Sequence, residues 1–137
     1  MEERTLVLIK PDGVRSGHIG EIISRFENKN FTIEQLKVTN VTDEKLKQHY
    51  FDKVNEPYFP TMSNYMKEGP IVAMVIKGTS VISCVRKISG STSPAEAAPG
   101  TIRGDFGRLW EDGTVRNVMH SSDSVESAER EIKIWFE

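Results

Sequence analysis

The chain of 137 residues has a single cysteine, almost no net charge and no long apolar run. One cysteine cannot build an internal disulfide framework or a multi-cysteine zinc site. There are 18 lysines and arginines against 20 acidic residues, a formal net charge of -2, which argues against a nucleic-acid binder with a basic face. The longest apolar run, at 71–76, is too short to cross a bilayer. The N-terminus lacks a secretion signal. We therefore expect one cytoplasmic domain over residues 1–137.

The common phosphate-binding and catalytic motifs are also missing. Gly13, Gly17 and Gly20 have neither the Walker spacing nor the dinucleotide spacing, and no Lys-Ser or Lys-Thr pair follows them. The chain has no protein-kinase motifs, no Gly-x-Ser-x-Gly elbow and no His-x-x-x-His pair. Any chemistry must therefore come from residues that are scattered along the sequence.

Apolar periodicity predicts alternating strands and helices. The predicted strands are residues 6–9, 31–38, 71–76 and 115–119, with a bulge in the second near Gln35. Helical spacing predicts helices at 19–26, 42–54, 62–66 and 81–88 and a closing helix to residue 135. This order contains the split β-α-β pattern. We expect a ferredoxin-like α/β (α+β) sandwich, with a mainly antiparallel four-stranded sheet and surrounding helices.

Two local signals lie near the C-terminus. Asp123 followed by Glu126 is typical of a helix N-cap with its capping-box partner, and Val125 is expected to begin the buried stripe of the closing helix. Residues 89–114 show neither period and are interpreted as an ordered functional loop. Within that loop, Asp-Gly at 112–113 predicts a hairpin, and we expect its Trp110 to pack against a neighbouring subunit rather than its own chain.

His120 is the candidate nucleophile. It lies at the end of a predicted strand, ahead of small polar residues and a helix start, where an anion is favoured. At 100° per residue, Glu131 lies on the edge of the buried stripe of the closing helix, and a buried carboxylate is costly unless it is paired. Glu131 could therefore pair with His120 and fix its tautomer. Taken alone, His120 could also be a hydrogen-bonded structural histidine. His18, in a predicted loop, and His49, on a polar helix face, are interpreted as residues without a catalytic role.

Three basic residues are individually uninformative. Lys10 ends a buried strand before a predicted Pro-Asp-Gly turn and could be an ordinary solvated lysine. Arg86 lies off the apolar stripe of its helix and could be a surface arginine. Arg103 could form an ion pair with Asp105 that stabilises the loop.

Three separate segments carry a resemblance to a known family: KPDG at 10–13, TIRGDF at 101–106 and NVMHSSDS at 117–124. Together they resemble nucleoside diphosphate kinases, and the resemblance extends over residues 4–136. It implies ping-pong transfer of the γ-phosphate from a nucleoside triphosphate to a diphosphate, which maintains the (deoxy)nucleoside triphosphate pools. His120 would be the phosphorylated residue, oriented by Glu131 and Ser122, with Lys10 also in the catalytic set.

The same resemblance implies the ligands. The phosphate- and ribose-binding residues would be Lys10, Tyr50, Arg86, Thr92, Arg103 and Asn117. Tyr58 and Met62 would clamp the base. Mg²⁺ would be held mainly through the nucleotide phosphates, with no protein metal site. The partners would be ATP, GTP, other nucleoside di- and triphosphates and their deoxy forms, and the protein would be a homo-oligomer, a tetramer or a hexamer. The segment 107–115 is longer than the family pattern.

The alternative is a ferredoxin-like binding module for a nucleotide or single-stranded nucleic acid. An RNA-recognition domain would carry paired aromatic residues on its central strands, and the strands at 6–9 and 71–76 have none. A purely structural role would leave Lys10, Arg103 and the His120–Glu131 pair without a common explanation. The enzyme is therefore the favoured interpretation.

Overall fold

The computed structural model describes residues 2–111 and 114–137. Its strands are β1 (Glu2–Ile9), β2 (Thr32–Thr39), β3 (Ile71–Thr79), β4 (Arg108–Leu109), β5 (Val115–Arg116) and β6 (Met119–Ser121). Its helices are α1 (Pro11–Arg15), α2 (Ile19–Glu27), α3 (Asp43–His49), α4 (Phe59–Met66), α5 (Val81–Ser89), α6 (Ile102–Phe106) and α7 (Val125–Phe136). None of these helices is both long enough and apolar enough to span a membrane.

Four strands form one antiparallel sheet in the order β2-β3-β1-β6. β1 lies between two partners: it pairs with β3 along its whole length and with β6 at its C-terminal end, where Leu8 lies opposite His120. The pairing of β2 with β3 shifts between Ile33 and Gln35, so the predicted bulge is confirmed. The predicted α/β fold with its four-stranded antiparallel sheet is confirmed as well.

Both faces of the sheet are covered at β1 and β3, which explains the continuous apolar runs of these two strands. Alternate side chains of β1 point to opposite faces. Val7 and Ile9 pack in the layer that contains Phe26 of α2. Leu6 and Leu8 pack in the second layer, which contains Trp135 of α7. The closing helix is thereby held against the strand that precedes Lys10.

The strand predicted at 115–119 is two strands, because the backbone turns sharply at Val118. Val118 has a φ of 76°, in the left-handed region that β-branched residues rarely adopt. The amide of Met119 donates to the carbonyl of Asn117 at 2.8 Å and closes a tight turn around it. β5 pairs with β4, whereas β6 pairs with β1. The turn thus moves the chain from the small hairpin into the main sheet.

The segment 89–114 is ordered, but it is not devoid of regular structure. It contains α6, whose five residues are too few to show a helical period in the sequence. Thr101 caps this helix by accepting a hydrogen bond from the amide of Gly104 at 3.1 Å. A Cβ at Gly104 would lie 2.0 Å from the Ala98 carbonyl oxygen, so the close approach requires glycine.

The predicted hairpin is confirmed on both sides of its tip. Leu109 pairs with Val115, and the Trp110 amide donates to the Thr114 carbonyl at 3.1 Å. The Asp-Gly at 112–113 lies outside the described residues. Trp110 is 41% exposed, and its ring contacts the guanidinium of Arg116 in its own chain at 4.2 Å. Its packing against another subunit stays a prediction.

Two helix starts differ from expectation. The Pro-Asp-Gly sequence after Lys10 forms the first residues of α1 rather than a turn, because proline is favoured at the first helical position. Ser124, not Asp123, is the N-cap of α7, and it accepts from the amide of Ser127 at 3.1 Å. Starting the helix there leaves Val125 half exposed instead of buried.

Candidate active site

A cavity of about 600 Å³ opens where the end of β1 meets β6, α3, α7 and the segment that follows α5. It collects most of the site residues predicted from sequence: Lys10, Tyr50, Met62, Arg86, Thr92, Arg103, Asn117, His120 and Glu131. Ser122 is fully buried and contacts Glu131. Tyr58 is half exposed and is not among the described residues that line the cavity.

His120 and Glu131 form the centre of the cavity wall. Nε2 of His120 lies 2.8 Å from Oε1 of Glu131, and the Ser122 hydroxyl donates to the same oxygen at 2.7 Å. Ser122 is fixed in turn because its Oγ accepts from the amide of Leu6 in β1 at 3.1 Å. The pairing expected from the helical phase of Glu131 is confirmed.

This geometry determines which nitrogen of His120 is free. A carboxylate accepts hydrogen bonds, so Nε2 carries the proton and Nδ1 keeps its lone pair. No described residue forms a hydrogen bond with Nδ1. Burial, together with the positive charges of Lys10 and Arg103, holds the pKa of His120 well below its usual range. His120 is therefore neutral at pH 7, the form that can act as a nucleophile.

Glu131 is a buried acid in the wall of the cavity. Burial raises its pKa, and the neighbouring His49 and the Ser122 hydroxyl partly oppose that rise. Its carboxylate is placed to stabilise positive charge that develops on the His120 ring. The Nε2–H of His120 and the Ser122 hydroxyl both donate to Oε1 of Glu131 and hold it in that position.

His49, interpreted from the sequence as a residue without a role, is part of this wall. It is buried, and its ring lies edge-to-face against His120 with centroids 4.4 Å apart. Nδ1 of His49 accepts from the indole N–H of Trp135 at 3.0 Å. Burial, then the proximity of His120, holds the pKa of His49 well below its usual range. A signal was available, since His49 lies three residues after the buried Leu46 and so on the same helix face.

Lys10 and Arg103 bring buried positive charge to the cavity. The Lys10 ammonium donates to Oδ1 of Asn117 at 2.8 Å, and Asn117 is held by a hydrogen bond from its Nδ2 to the Thr92 carbonyl. Arg103 donates to the carbonyls of Gly90 and Met119, both at 2.9 Å. Neither side chain has a carboxylate partner among the described residues.

Burial and the clustering of these cations lower their pKa values. Burial and the charge of Arg103 lower the pKa of Lys10 from 10.5 to about 7. Burial and the charge of the exposed Arg86 lower the pKa of Arg103 from 12.5 to about 10. Cations that destabilise one another in this way create a strong site for an anion. The ion pair considered for Asp105 is formed with Arg25 instead, at 2.7 Å.

The same residues are less well suited to binding a metal ion than to binding an anion. In residues 2–111 and 114–137, the one group of potential ligands is His49, His120 and Glu131, within 4.8 Å of one another. Nδ1 of His49 already accepts from Trp135, so its proton lies on Nε2, and that nitrogen cannot bind a metal without losing it. The cations around the cavity also favour an anion over a bare metal ion.

Residues 3–137 match the family model described as nucleoside diphosphate kinase. The chain belongs to the nucleoside diphosphate kinase family. Nucleoside diphosphate kinase B of Mus musculus is 52% identical over 134 residues, which cover 98% of this chain and 86% of the relative. The nucleoside diphosphate kinase of Streptococcus agalactiae serotype III is 49% identical over 135 residues, covering 98% of each.

Solved structures of nucleoside diphosphate kinases have the same fold. The enzyme of Halobacterium salinarum in complex with CDP gives a TM-score of 0.93 at 37% identity, covering 100% of this chain and 89% of that one. A transition-state mimic of the Borrelia burgdorferi enzyme, with bound vanadate and ADP, gives 0.92 at 36% identity, covering 99% and 88%. The family resemblance seen in the three sequence segments is thus confirmed, and the roles of individual residues stay predictions.

Proposed function

We propose that the protein is a nucleoside diphosphate kinase in which His120 carries the phosphoryl group from a triphosphate donor to a diphosphate acceptor. The observation that carries this proposal is the state of His120: a neutral imidazole, held at Nε2 by Glu131, with Nδ1 unpartnered among the described residues in a cation-lined cavity. The vanadate and ADP in the Borrelia burgdorferi relative support phosphoryl transfer as the chemistry.

The reaction consists of two matched displacements. Nδ1 of His120 attacks the γ-phosphorus of the donor; the bond from that phosphorus to the bridging oxygen breaks, and its electron pair leaves with the nucleoside diphosphate. The phosphorylated ring gains positive charge, which the Glu131 carboxylate stabilises through Nε2–H. A terminal oxygen of an acceptor diphosphate then attacks the phosphorus, and the P–N bond electrons return to Nδ1.

Lys10, Arg103 and Arg86 stabilise the charge that develops on the transferred group. Phosphoryl transfer requires little covalent chemistry from the protein beyond a nucleophile, so positioned positive charge supplies most of the catalysis. Asn117 holds the Lys10 ammonium in place, and backbone carbonyls hold Arg103. Tyr50 and Thr92 line the same cavity and complete the proposed phosphate- and ribose-binding set.

Mg²⁺ fits this cavity as part of the nucleotide complex. Mg²⁺ prefers oxygen ligands in octahedral geometry, and phosphate oxygens provide them where the surrounding side chains are cationic. The residues that would hold the complex are therefore the phosphate-binding ones, Lys10, Arg86 and Arg103. When bound, Mg²⁺ neutralises part of the phosphate charge.

The proposed substrates are nucleoside di- and triphosphates of several bases. Met62 lines the cavity, Tyr58 lies half exposed nearby in sequence, and the aromatic Phe51 is exposed at the rim. Apolar and aromatic contacts recognise any base through its flat face. We therefore expect ribo- and deoxynucleotides of all the common bases to be accepted.

We further propose that the protein works as a homo-oligomer, a tetramer or a hexamer. β2 is an edge strand of the main sheet, and it exposes two large apolar side chains, Leu36 at 52% and Val38 at 67%. An apolar edge strand is a liability in a free chain, and a second copy would cover it. The cytoplasmic location expected from the sequence stays a prediction.

The deciding experiment is labelling with γ-labelled ATP and Mg²⁺. Wild type should acquire an acid-labile, base-stable label that a nucleoside diphosphate removes. His120→Ala should acquire none, while His18→Ala is the matched control, since His18 stacks on Phe106 and does not line the cavity. An unlabelled wild-type protein, or a fully active His120→Ala variant, would refute the proposal.

A further inference from the structure

Tyr65 is a buried titratable residue that the proposed mechanism does not use. It lies in α4, and its hydroxyl donates to Oδ1 of Asp12 at 2.5 Å. Burial, then the charge of Asp12, raises the pKa of Tyr65, so the phenol stays protonated and remains a donor. Asp12 is two residues after Lys10, in the first turn of α1.

The ring of Tyr65 contacts two cations that differ in their ion pairing. The guanidinium of Arg116 lies 5.0 Å from the ring centroid, and it is already paired with both oxygens of Glu68, at 2.5 and 2.8 Å. The Lys10 ammonium lies 5.7 Å from the same centroid, within the range of a cation–π contact. Lys10 forms no ion pair with any carboxylate in the described part of the chain.

We propose that Tyr65 is a positioning residue for phosphate binding: its hydroxyl holds the Asp12 carboxylate away from Lys10, and its ring supports the ammonium that would otherwise pair with that carboxylate. The inference rests on the proposed function, since it concerns the phosphate ligand of the same cavity. The Asp12 carboxylate can only accept hydrogen bonds, so it needs a donor. The Tyr65 hydroxyl is that donor, and it leaves the Lys10 ammonium without an ion pair to Asp12.

The electrostatics of Lys10 agree with this arrangement. Asp12 is the carboxylate that raises the pKa of Lys10, and this effect is smaller than the opposing effects of burial and Arg103. The other groups around Lys10 are His120 from β6 and His49 from α3, whose pKa values its charge lowers, and the neutral Asn117. If Asp12 were released, a direct ion pair with Lys10 would compete with a nucleotide phosphate.

The test is Tyr65→Phe, which removes the hydroxyl and keeps the ring. We expect the KM for ADP at pH 6 to rise about tenfold with kcat little changed, because one pKa unit of added ion pairing corresponds to a tenfold competition. The basic limb of kcat/KM, which reports the free enzyme, should move upward by about one pH unit as Asp12 approaches Lys10. A general loss of packing would not produce that upward movement.

Matched variants separate the carboxylate from the ring. In Tyr65→Phe with Asp12→Asn, both the KM and the basic limb should move back from their Tyr65→Phe values, because the competing charge is gone. Asp43→Asn is the control variant. It removes an exposed carboxylate that pairs with Lys67, at the C-terminal end of α4, the helix that contains Tyr65. It should change neither the KM for ADP nor the basic limb of kcat/KM. Thermal unfolding of each variant measures whether the fold is retained.

The outcomes distinguish the two proposals. A wild-type protein that never labels on histidine refutes the proposed function. A wild type that labels normally, with unchanged KM and basic limb in Tyr65→Phe, overturns the inference about Tyr65. Should Tyr65→Phe fail to fold, Asp12→Asn alone decides, because without a competing carboxylate its KM should not rise. A tenfold rise in that variant would overturn the inference.

Discussion

Replacing Lys10 by methionine should stabilise the fold at neutral pH while it abolishes phosphate binding. Lys10 is buried, and its pKa in the folded protein is about 7, against 10.5 for an unperturbed lysine. A base with a lowered folded pKa binds its proton less tightly in the folded state. Folding is therefore penalised wherever the unfolded chain holds that proton. The penalty is absent above pH 10.5, grows as the pH falls, and becomes constant below about 7.

The magnitude follows from the pKa displacement and one lost contact. A fall in pKa from 10.5 to about 7 corresponds to roughly 5 kcal/mol below pH 7. Methionine removes that penalty and fills a similar volume. Against this gain, Oδ1 of the buried Asn117 loses its donor, which costs about 1–3 kcal/mol. The expected net gain at neutral pH is about 2–4 kcal/mol, or a Tm higher by several degrees.

The assay is denaturant unfolding of wild type and Lys10→Met across pH 6 to 10. The stability difference should shrink as the pH rises, and nucleotide-dependent stabilisation should be lost at every pH. Lys87→Met, on an exposed position of α5, controls for the change of residue type and should show no such pH-dependent gain. A Lys10→Met variant less stable than wild type at pH 7, or a gain independent of pH, would refute the reasoning.

Four further predictions concern the rest of the site. Glu131→Gln should slow phosphohistidine formation about 5- to 30-fold, since replacing a charge-assisted hydrogen bond by a neutral one costs about 1–2 kcal/mol; rapid-quench labelling measures this, and a loss as complete as in His120→Ala would contradict it. His49→Phe should lower the free energy of unfolding by about 1–3 kcal/mol because the Trp135 indole N–H loses its acceptor, and His49→Gln should recover part of that loss in chemical denaturation. Trp110→Ala should reduce the oligomer mass in solution; an unchanged mass with altered nucleotide affinity would place the hairpin at the cavity instead. The kcat/KM values for GDP, UDP, CDP and dTDP should agree within roughly tenfold, and a several-hundredfold preference would mean that a polar contact reads the base.

Local patterns predicted the elements of the main sheet well, because period and burial coincide there. The bulge near Gln35 followed from a change of phase, and the pairing of Glu131 with His120 followed from helical geometry. The bulge depends on residues that are close in sequence, and the His120–Glu131 pairing depends on the short connection between β6 and α7. The convergence of Lys10, Arg103 and Asn117 depends on tertiary packing. Residue patterns alone left Lys10 and Arg103 with ordinary structural interpretations, and Asn117 was indicated only by the family resemblance.

The errors also have physical causes. Nothing in the sequence indicates a left-handed valine, so the division of β5 from β6 at Val118 was not foreseeable from propensity. Asp123 and Ser124 are both residue types that are favoured at the N-cap, so the sequence does not show which of them precedes the first helical residue. The interpretation of His49 as a residue on a polar helix face is wrong, because Leu46, three residues earlier, marks the buried face of the same helix.

The double pairing of β1 has a consequence for the order in which the protein opens. Backbone amides at Val7–Ile9 should exchange with solvent only on global unfolding, because β3 and β6 cover the strand on both sides. Arg103, by contrast, lies in a five-residue helix within a segment held by short turns. Mild destabilisation should therefore release Arg103 while His120 stays in place. A phosphorylated chain in that state would keep its phosphoryl group on His120 but could not transfer it to an acceptor. Hydrogen exchange of the phosphorylated protein would detect this state as exchange in α6 while the amides at Val7–Ile9 stay protected.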